Sequence, residues 1–394
     1  MPKIRQNRSL VLKTIVVLLV FGATILVYRM ATLDTEVEMA VTFELPDFLS
    51  IDLGNESDTK RAMAVDGIVL QGDTSENTTR MLPIASTAKM IVALIVMEKK
   101  PFELGESGET LVISQEDYRD YIWYTQNNGS VTAVEVGEEI SEKDALTAML
   151  LASSNNMADT LARWAFSSID AYREYAKQRL ISWGITSIEI GDDASGYGTS
   201  TVGTAADLAI IGQKVLQNPV LAEIVSRQSA VVPVAGTIEN TNKILGVNRI
   251  SGIKTGYNGI SGYCLVTGYL EGEHIITAAI LGEDTRQNSF DNMLKLISSA
   301  QEQLKEQVVV SDGEELGYYD SWWMGKTPIV ASETLNTIAW NEDGNVYNLD
   351  MSGAGGTLKI RLNGREYSVN ANAQNLVSEP SLWQRFLRVF GWEM

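Results

Sequence analysis

The sequence predicts an α+β protein: an antiparallel sheet flanked by helices, carrying an inserted helical subdomain and followed by a small β-rich domain. Three observations predict it. Strand-like runs bracket a long helical middle instead of alternating with helices, which argues against a parallel βαβ sheet. One early helix is apolar all round and must be buried. Beyond about residue 308 the composition shifts to short strands separated by Gly and Asn-Gly turns.

At the N-terminus, Lys3, Arg5, Arg8 and Lys13 precede the uncharged run "TIVVLLVFGATILVY", residues 14–28. With "LVL" at 10–12 and Lys13 snorkelling, it approaches the length that spans a bilayer. The basic flank stays inside, so the remainder is exported to an extracytoplasmic position at the cell membrane. No small-x-small cleavage site follows, because Arg29 and bulky neighbours stand there. Residues 1–31 therefore read as an uncleaved signal anchor, with a cleaved signal peptide as the alternative. Residues 32–62 are acidic and irregular, a spacer.

The stretch "AMAVDGIVLQGDTSENTTRMLPIA" reads strand, turn, strand, leading into the buried helix of "STAKMIVALIVMEKK", with Ser86 and Thr87 as caps. In "SEKDALTAMLLASSNNMADTLARWAF" a capping-box pair, Ser141 and Asp144, opens a helix to about Ala152. A polar break follows, then a second helix starting near Met157. "TAADLAIIGQKVLQ" is a further amphipathic helix. From about residue 230 come "SAVVPVAGTIEN", "GIKTGYNG" and the hairpin "GYCLVTGYLEGEHIITAAILG". The helix "DNMLKLISSAQEQLKEQ" closes a domain placed at 63–307. The small β domain, 308–377, holds "PIVASETLNTIAWNEDGNVYNLDM" and "GTLKIRLNGREYSVNA". In the last segment, 378–394, helical spacing puts Leu382, Trp383, Phe386, Leu387, Val389 and Phe390 on one face, with Gln384, Arg385 and Arg388 opposite. That pattern suits an interfacial membrane helix or one docking on its own protein.

Composition narrows the function classes. With 45% hydrophobic and 21% charged residues over 394 positions, the chain has the makings of two globular domains. A formal net charge of −19 and the lack of a basic stripe argue against nucleic-acid binding. Cys264 is the single cysteine, so no intrachain disulfide can form; in its strand-like run it reads as a small buried hydrophobe. His274, the single histidine, lies in a polar turn, which argues against a Ser-His-Asp triad and against a histidine metal site. No cofactor or metal is expected.

One charge stands out against this background. Lys89 lies one turn into the apolar helix, where a buried ammonium is costly unless it has a task. Three residues before it is Ser86, on the same helix face. A hydroxyl needs a base to attack a carbonyl, and a desolvated lysine can be that base. Two other segments could complete such a site. Ser154 and Asn156, at the break between helices, could relay a proton to a leaving amine and hold a substrate amide; they could equally be caps. Lys254 and Thr255, with Gly256 permitting close approach, suit a substrate carboxylate, or form a solvated strand edge.

In the order "STAK", "SNN", "KTG", these segments resemble the low-molecular-weight penicillin-binding proteins, the D-alanyl-D-alanine carboxypeptidases. The likeness runs from about Met63 to Gln307, and the β domain and tail resemble that family's stalk and membrane anchor. The resemblance implies the β-lactamase/transpeptidase-like fold and an acyl-enzyme on Ser86, with Lys89 as its base. Ser154 would pass a proton to the departing D-alanine and Asn156 would orient the peptide. Lys254 would supply positive potential, Thr255 would bind the terminal carboxylate, and backbone N–H groups of Ser86 and Tyr257 would hold the oxyanion. Arg286 stands near the position from which some relatives help grip the carboxylate. The implied partners are peptidoglycan stem peptides ending in D-Ala-D-Ala, β-lactams as covalent inhibitors, and a membrane through the N-terminal segment and the C-terminal helix. Two departures are visible: relatives often carry Gly and Asp where Asn155 and Met157 fall in this register. A β-lactamase or esterase on the same fold is the enzymatic alternative. Its deacylating glutamate would precede "KTG", whereas Glu333 of "ETLN" follows it. A non-catalytic wall-binding or sensor protein is the alternative from another class.

Overall fold

In a computed structural model, which describes residues 3–50, 60–70, 79–340, 343–375 and 378–392, the chain divides into two units. One comprises Leu49–Glu306 with Ile338–Asn341, the other Met1–Phe48, Gln307–Thr337 and Glu342–Met394. The chain opens with helix α1 (Lys3–Ala31) and strand β1 (Glu38–Val41), both in the second of these.

The larger unit starts with β2 (Lys60–Val65) and β3 (Ile68–Val69). Next, β4 (Leu82–Pro83) feeds a 3-10 turn, Ala85–Ala88, that runs directly into α2 (Lys89–Lys99). The helical middle contains β5 (Thr110–Val112), α3 (Gln115–Gln126), β6 (Glu139–Ser141), α4 (Glu142–Leu151), α5 (Asn155–Phe166) and α6 (Ile169–Ser182). It ends with β7 (Val202–Gly203), α7 (Ala205–Gln217) and α8 (Pro219–Val225). The chain then returns through the hairpin β8 (Ser229–Val232) and β9 (Gly236–Glu239). The sheet strands β10 (Lys254–Asn258), β11 (Gly262–Glu271) and β12 (His274–Glu283) follow, and α9 (Arg286–Gln303) closes the unit.

The sheet runs β10-β11-β12-β2-β3, antiparallel at every pairing, with Thr255 opposite Leu265 and Ile280 opposite Arg61. Side chains alternate across it as a period of two requires. Ala62, Ala64, Cys264 and Val266 join the apolar cluster that contains α2 and the helical middle. Met63, Val65, Leu265 and Ile276 join the other, with Phe290, Met293 and Ile297 of α9 and Trp340. Every residue of α2 from Lys89 to Met97 is buried, as an all-apolar helix must be.

The second unit adds β13 (Glu306–Val310), β14 (Glu315–Asp320), β15 (Thr327–Ala331) and β16 (Leu335–Ile338), then β17 (Val346–Ser352), β18 (Gly355–Leu362) and β19 (Arg365–Ala373). Its six-stranded sheet has the order β1-β14-β15-β19-β18-β17. Here the expectation of an irregular spacer at 32–62 needs correction. Residues 38–41 are β1, paired antiparallel with β14 from Glu38 opposite Asp320 to Val41 opposite Gly317. Pairing with a distant strand overrides a weak local pattern. The last helix, α10 (Leu382–Val389), starts at a Ser381–Gln384 capping box. Its Leu382 and Trp383 are 76% and 64% exposed.

Candidate active site

Strand β4 delivers the chain into the turn at Ser86 with Ala85 at φ +49, a left-handed value rare for a residue with a Cβ. Such backbone costs on the order of 1–3 kcal/mol and persists only where its surroundings impose it. Two glycines supply those surroundings. A Cβ on Gly196 would stand 2.1 Å from the Ala85 carbonyl oxygen, and one on Gly256 would stand 3.2 Å from the Ser86 nitrogen. Ser86 and Thr87 do not cap α2 as expected: no side-chain cap is made, and the Thr87 hydroxyl donates back to the Ile84 carbonyl. The 3-10 turn continues into the helix without a break, so no orphan N–H waits there for a cap.

Lys89 is fully buried, and its Nζ lies 2.8 Å from each of three oxygens: Ser86 Oγ, Asn155 Oδ1 and the Ser195 carbonyl. Two of these can only accept. A neutral amine has two protons for them and one lone pair left, directed at the hydroxyl, which can donate. Burial pulls the Lys89 amine down to about 7, opposed by the charges of Asp193 and Asp159. Lys254 is also buried, its Nζ donating to the Thr255 carbonyl at 3.0 Å. Burial, and then the charge of Lys89, hold it well below the usual lysine range.

The middle segment requires a correction of one residue. Helix α5 begins at Asn155, not near Met157, and Ser154 is its N-cap, with Oγ accepting from the Met157 N–H. Ser154 and Asn156 are both fully buried. Asn156 Oδ1 accepts from Ser154 Oγ and from the Thr132 N–H, while its Nδ2 donates to the Thr132 carbonyl. They staple α5 to the neighbouring loop and do not face the cleft. Ser153, at φ +62, and Asn155 do face it. In this register the middle residue is Ser154 and the following one Asn156, so these two, in place of Asn155 and Met157, are the departures from Gly and Asp.

The cleft has a volume of about 530 Å³ and is lined by Ser86, Ser153, Asn155, Thr255, Tyr257 and Arg286, among others. The edge strand β10 forms one wall. Thr255 Oγ1 is 2.7 Å from Thr241 Oγ1, and Tyr257, 56% exposed, packs on Tyr263 with ring centroids 4.4 Å apart. Arg286, the first residue of α9, lies with its guanidinium 5.9 Å from the Tyr263 ring. Among the described lining residues Arg286 carries the one formal charge, and none is a carboxylate. Glu333 lies outside this unit and accepts from the Asn370 N–H. His274 sits away from the cleft against Asp66, and burial pushes the Cys264 thiol up to about 11, an unreactive state. Among the described residues no cluster of metal-ligating side chains occurs.

Fold and cleft together define the penicillin-binding, transpeptidase-like class of α+β proteins. The family model described as D-alanyl-D-alanine carboxypeptidase matches residues 53–285, and the chain belongs to that family. It is similar to the D-alanyl-D-alanine carboxypeptidase DacF of Bacillus subtilis, 22% identical over 282 residues, covering 66% of this chain and 68% of that protein. It is also similar to a D-alanyl-D-alanine endopeptidase of Pseudomonas aeruginosa, 26% identical over 245 residues, covering 59% and 74% of the two chains. Among solved structures, a D-alanyl-D-alanine carboxypeptidase of Mycobacterium tuberculosis aligns with 25% identity and a TM-score of 0.53, over 68% of this chain and 96% of that one. A peptidoglycan synthesis regulatory factor of Streptococcus pneumoniae aligns over 81% and 99%, with a TM-score of 0.60 and 20% identity. At the family level the activity is D-alanyl-D-alanine carboxypeptidase or endopeptidase hydrolysis of peptidoglycan by a serine hydrolase.

Proposed function

We propose that the chain is a serine D-alanyl-D-alanine carboxypeptidase that removes the terminal D-alanine of peptidoglycan stem peptides through an acyl-enzyme on Ser86. The observation that carries this reading is the dry Lys89 amine, 2.8 Å from the Ser86 hydroxyl, with its two other partners acceptors only. Lys89 takes the hydroxyl proton as Ser86 Oγ attacks the penultimate D-alanine carbonyl. The backbone N–H groups of Ser86 and Tyr257 receive the oxyanion, since Gly256 lets β10 approach the Ser86 backbone closely. The carbon–nitrogen bond breaks, and the proton returns to the leaving amine by way of Ser153, which takes the role expected of Ser154. Asn155, in place of Asn156, faces the peptide. Thr255 and Arg286 grip the terminal carboxylate in a cleft whose described lining residues include no acidic side chain to repel it. Lys254, whenever charged, disfavours the ammonium form of Lys89. Water then hydrolyses the ester.

The apolar helix Leu10–Ala31, mean hydropathy 2.7, would hold the catalytic unit at the outer face of the membrane. β-Lactams would acylate the same serine. The test is release of D-alanine from diacetyl-Lys-D-Ala-D-Ala, with fluorescent penicillin mapped to its attachment residue. D-Alanine release lost in Ser86→Ala, with the label on Ser86, supports the proposal. Fast turnover of nitrocefin would favour the lactamase, and no release at any pH would favour a binding or sensor protein.

A further inference from the structure

We propose that Asp159 is a positioning residue for the active-site amine: from α5 it pins the Ala194–Ser195 segment whose carbonyl accepts a hydrogen bond from Lys89, and its carboxylate offsets that amine's positive charge. The inference rests on reading Lys89 as the base and adds a residue outside the three signature segments.

Asp159 is unexpected on packing grounds. Its helix neighbours Met157, Ala158, Leu161 and Ala162 are all buried apolar residues, and Asp159 itself is 6% exposed. A buried carboxylate is a penalty unless it is fully bonded to something that needs it. It lies four positions after Asn155, so both project from one face of α5. Asn155 holds Lys89 directly. Asp159 acts one step removed: its Oδ1 accepts from the Ala194 N–H at 2.9 Å, immediately before the Ser195 carbonyl that holds Lys89. Its Oδ2 accepts from the Tyr124 hydroxyl at 2.7 Å, and that hydroxyl is 3.3 Å from Ser195 Oγ. Ser195 Oγ in turn donates to Asp193 Oδ1 at 2.6 Å, while Asp193 collects the Tyr197 and Gly198 N–H groups. The backbone before Ser195 is thus braced by Asp159 and its side chain by Asp193.

Charge follows the same geometry. The titratable groups acting on Lys89 and Asp159 are Asp193 in the same segment, Lys254 on β10, Tyr124 and Asp120 on α3, and Tyr172 on α6. Burial pushes the Asp159 carboxyl up to about 6, so it is still ionised at neutral pH, where it favours the Lys89 ammonium. Removing the charge while keeping the shape should release the Lys89 proton more easily.

Asp159→Asn does that, because the amide oxygen can still accept from Ala194. Two readouts apply: the pH midpoint of Lys89 from ¹³Cε-lysine NMR, assigned with Lys89→Met, and the acidic limb of Ser86 acylation by fluorescent penicillin. Both are expected to move to lower pH by about one unit, a tenfold change in the amine-to-ammonium ratio at fixed pH, with the plateau rate at high pH retained. Tyr124→Phe, which removes a donor to the ionised carboxylate, should move them the same way by less. Asp159→Leu should lower the plateau itself, since the Ala194–Ser195 segment loses its anchor. An unchanged Lys89 midpoint in folded Asp159→Asn overturns the inference; should that variant not fold, an unchanged midpoint in Tyr124→Phe does so. A wild-type protein that penicillin does not acylate would sink the proposed function, while the NMR titration still decides this inference.

Discussion

At the scale of single residues, the site depends on where protons sit around Lys89. With its amine at about 7, the acylating form grows as pH rises through neutrality, so kcat/KM for penicillin acylation should climb below about pH 7 and level off above it. Lys89→Met keeps the volume and the fold but removes the proposed base, and acylation should fall below detection; normal acylation by this variant removes Lys89 from the mechanism. The same group leaves a mark on stability. Between pH 7 and 10.5 the unfolded chain holds a proton on Lys89 that the folded chain has lost. More protons on the unfolded state means stability rises with pH across that window. Urea unfolding of the wild type should therefore gain stability relative to Lys89→Met from pH 7 to 10, and parallel curves would contradict the assignment. Two adjacent serines separate function from structure. Ser153→Ala should reduce acylation with little effect on folding, whereas Ser154→Ala, which loses a cap, should cost about 1 kcal/mol of stability with the active-site chemistry intact.

At the scale of elements, some features were legible because local pattern and tertiary demand agree. The hairpin of β11 and β12 joins two strand-like runs, buried without a break from Cys264 to Tyr269 and from Ile276 to Leu281, across a turn at Gly272, φ +57, so residue type and turn chemistry point the same way. The buried α2 was legible from its unbroken apolar run. The start of α5 was not. Ser153, Ser154, Asn155 and Asn156 are four successive residues that each suit an N-cap, and sequence alone offers no means to rank them. The choice is made by partners far along the chain: Lys89 for Asn155 and Thr132 for Asn156. One residue of register is about 100° on a helix, enough to exchange the cleft-facing pair for the buried pair. Strand β1 was missed for a related reason, since its partner lies nearly 280 residues away in β14. The turn at Ser86 depends on elements from both ends of the unit. Gly196→Ala should distort it, because the new methyl would meet the Ala85 carbonyl oxygen on backbone already held at φ +70. Acylation should fall at least tenfold in the folded protein, and a wild-type rate would show that the turn adapts more freely than its packing implies.

At the scale of the whole molecule, the covalent order of the chain and its folded units do not coincide. The composition shift near residue 308 marks where the chain enters the second unit, yet Ile338–Asn341 belong to the first. Ile338 and Trp340 are 4% and 5% exposed in the apolar cluster that holds Met63, Leu265 and Phe290. A single segment from the β-rich half therefore completes the core beneath the sheet on the face opposite α2. A fragment ending at residue 307 would leave that cluster short of a large aromatic side chain and exposed to water. Trp340→Ala opens the same gap with the rest of the chain in place. It should lower the urea midpoint of the catalytic unit by the equivalent of about 3–5 kcal/mol, the range for truncating a buried tryptophan. Because Trp340 does not itself line the cleft, penicillin acylation per folded molecule should stay near the wild-type rate at low temperature. A loss of rate without a loss of stability would instead place Trp340 in control of the cleft through Phe290, which lines the cleft and shares the apolar cluster of Trp340.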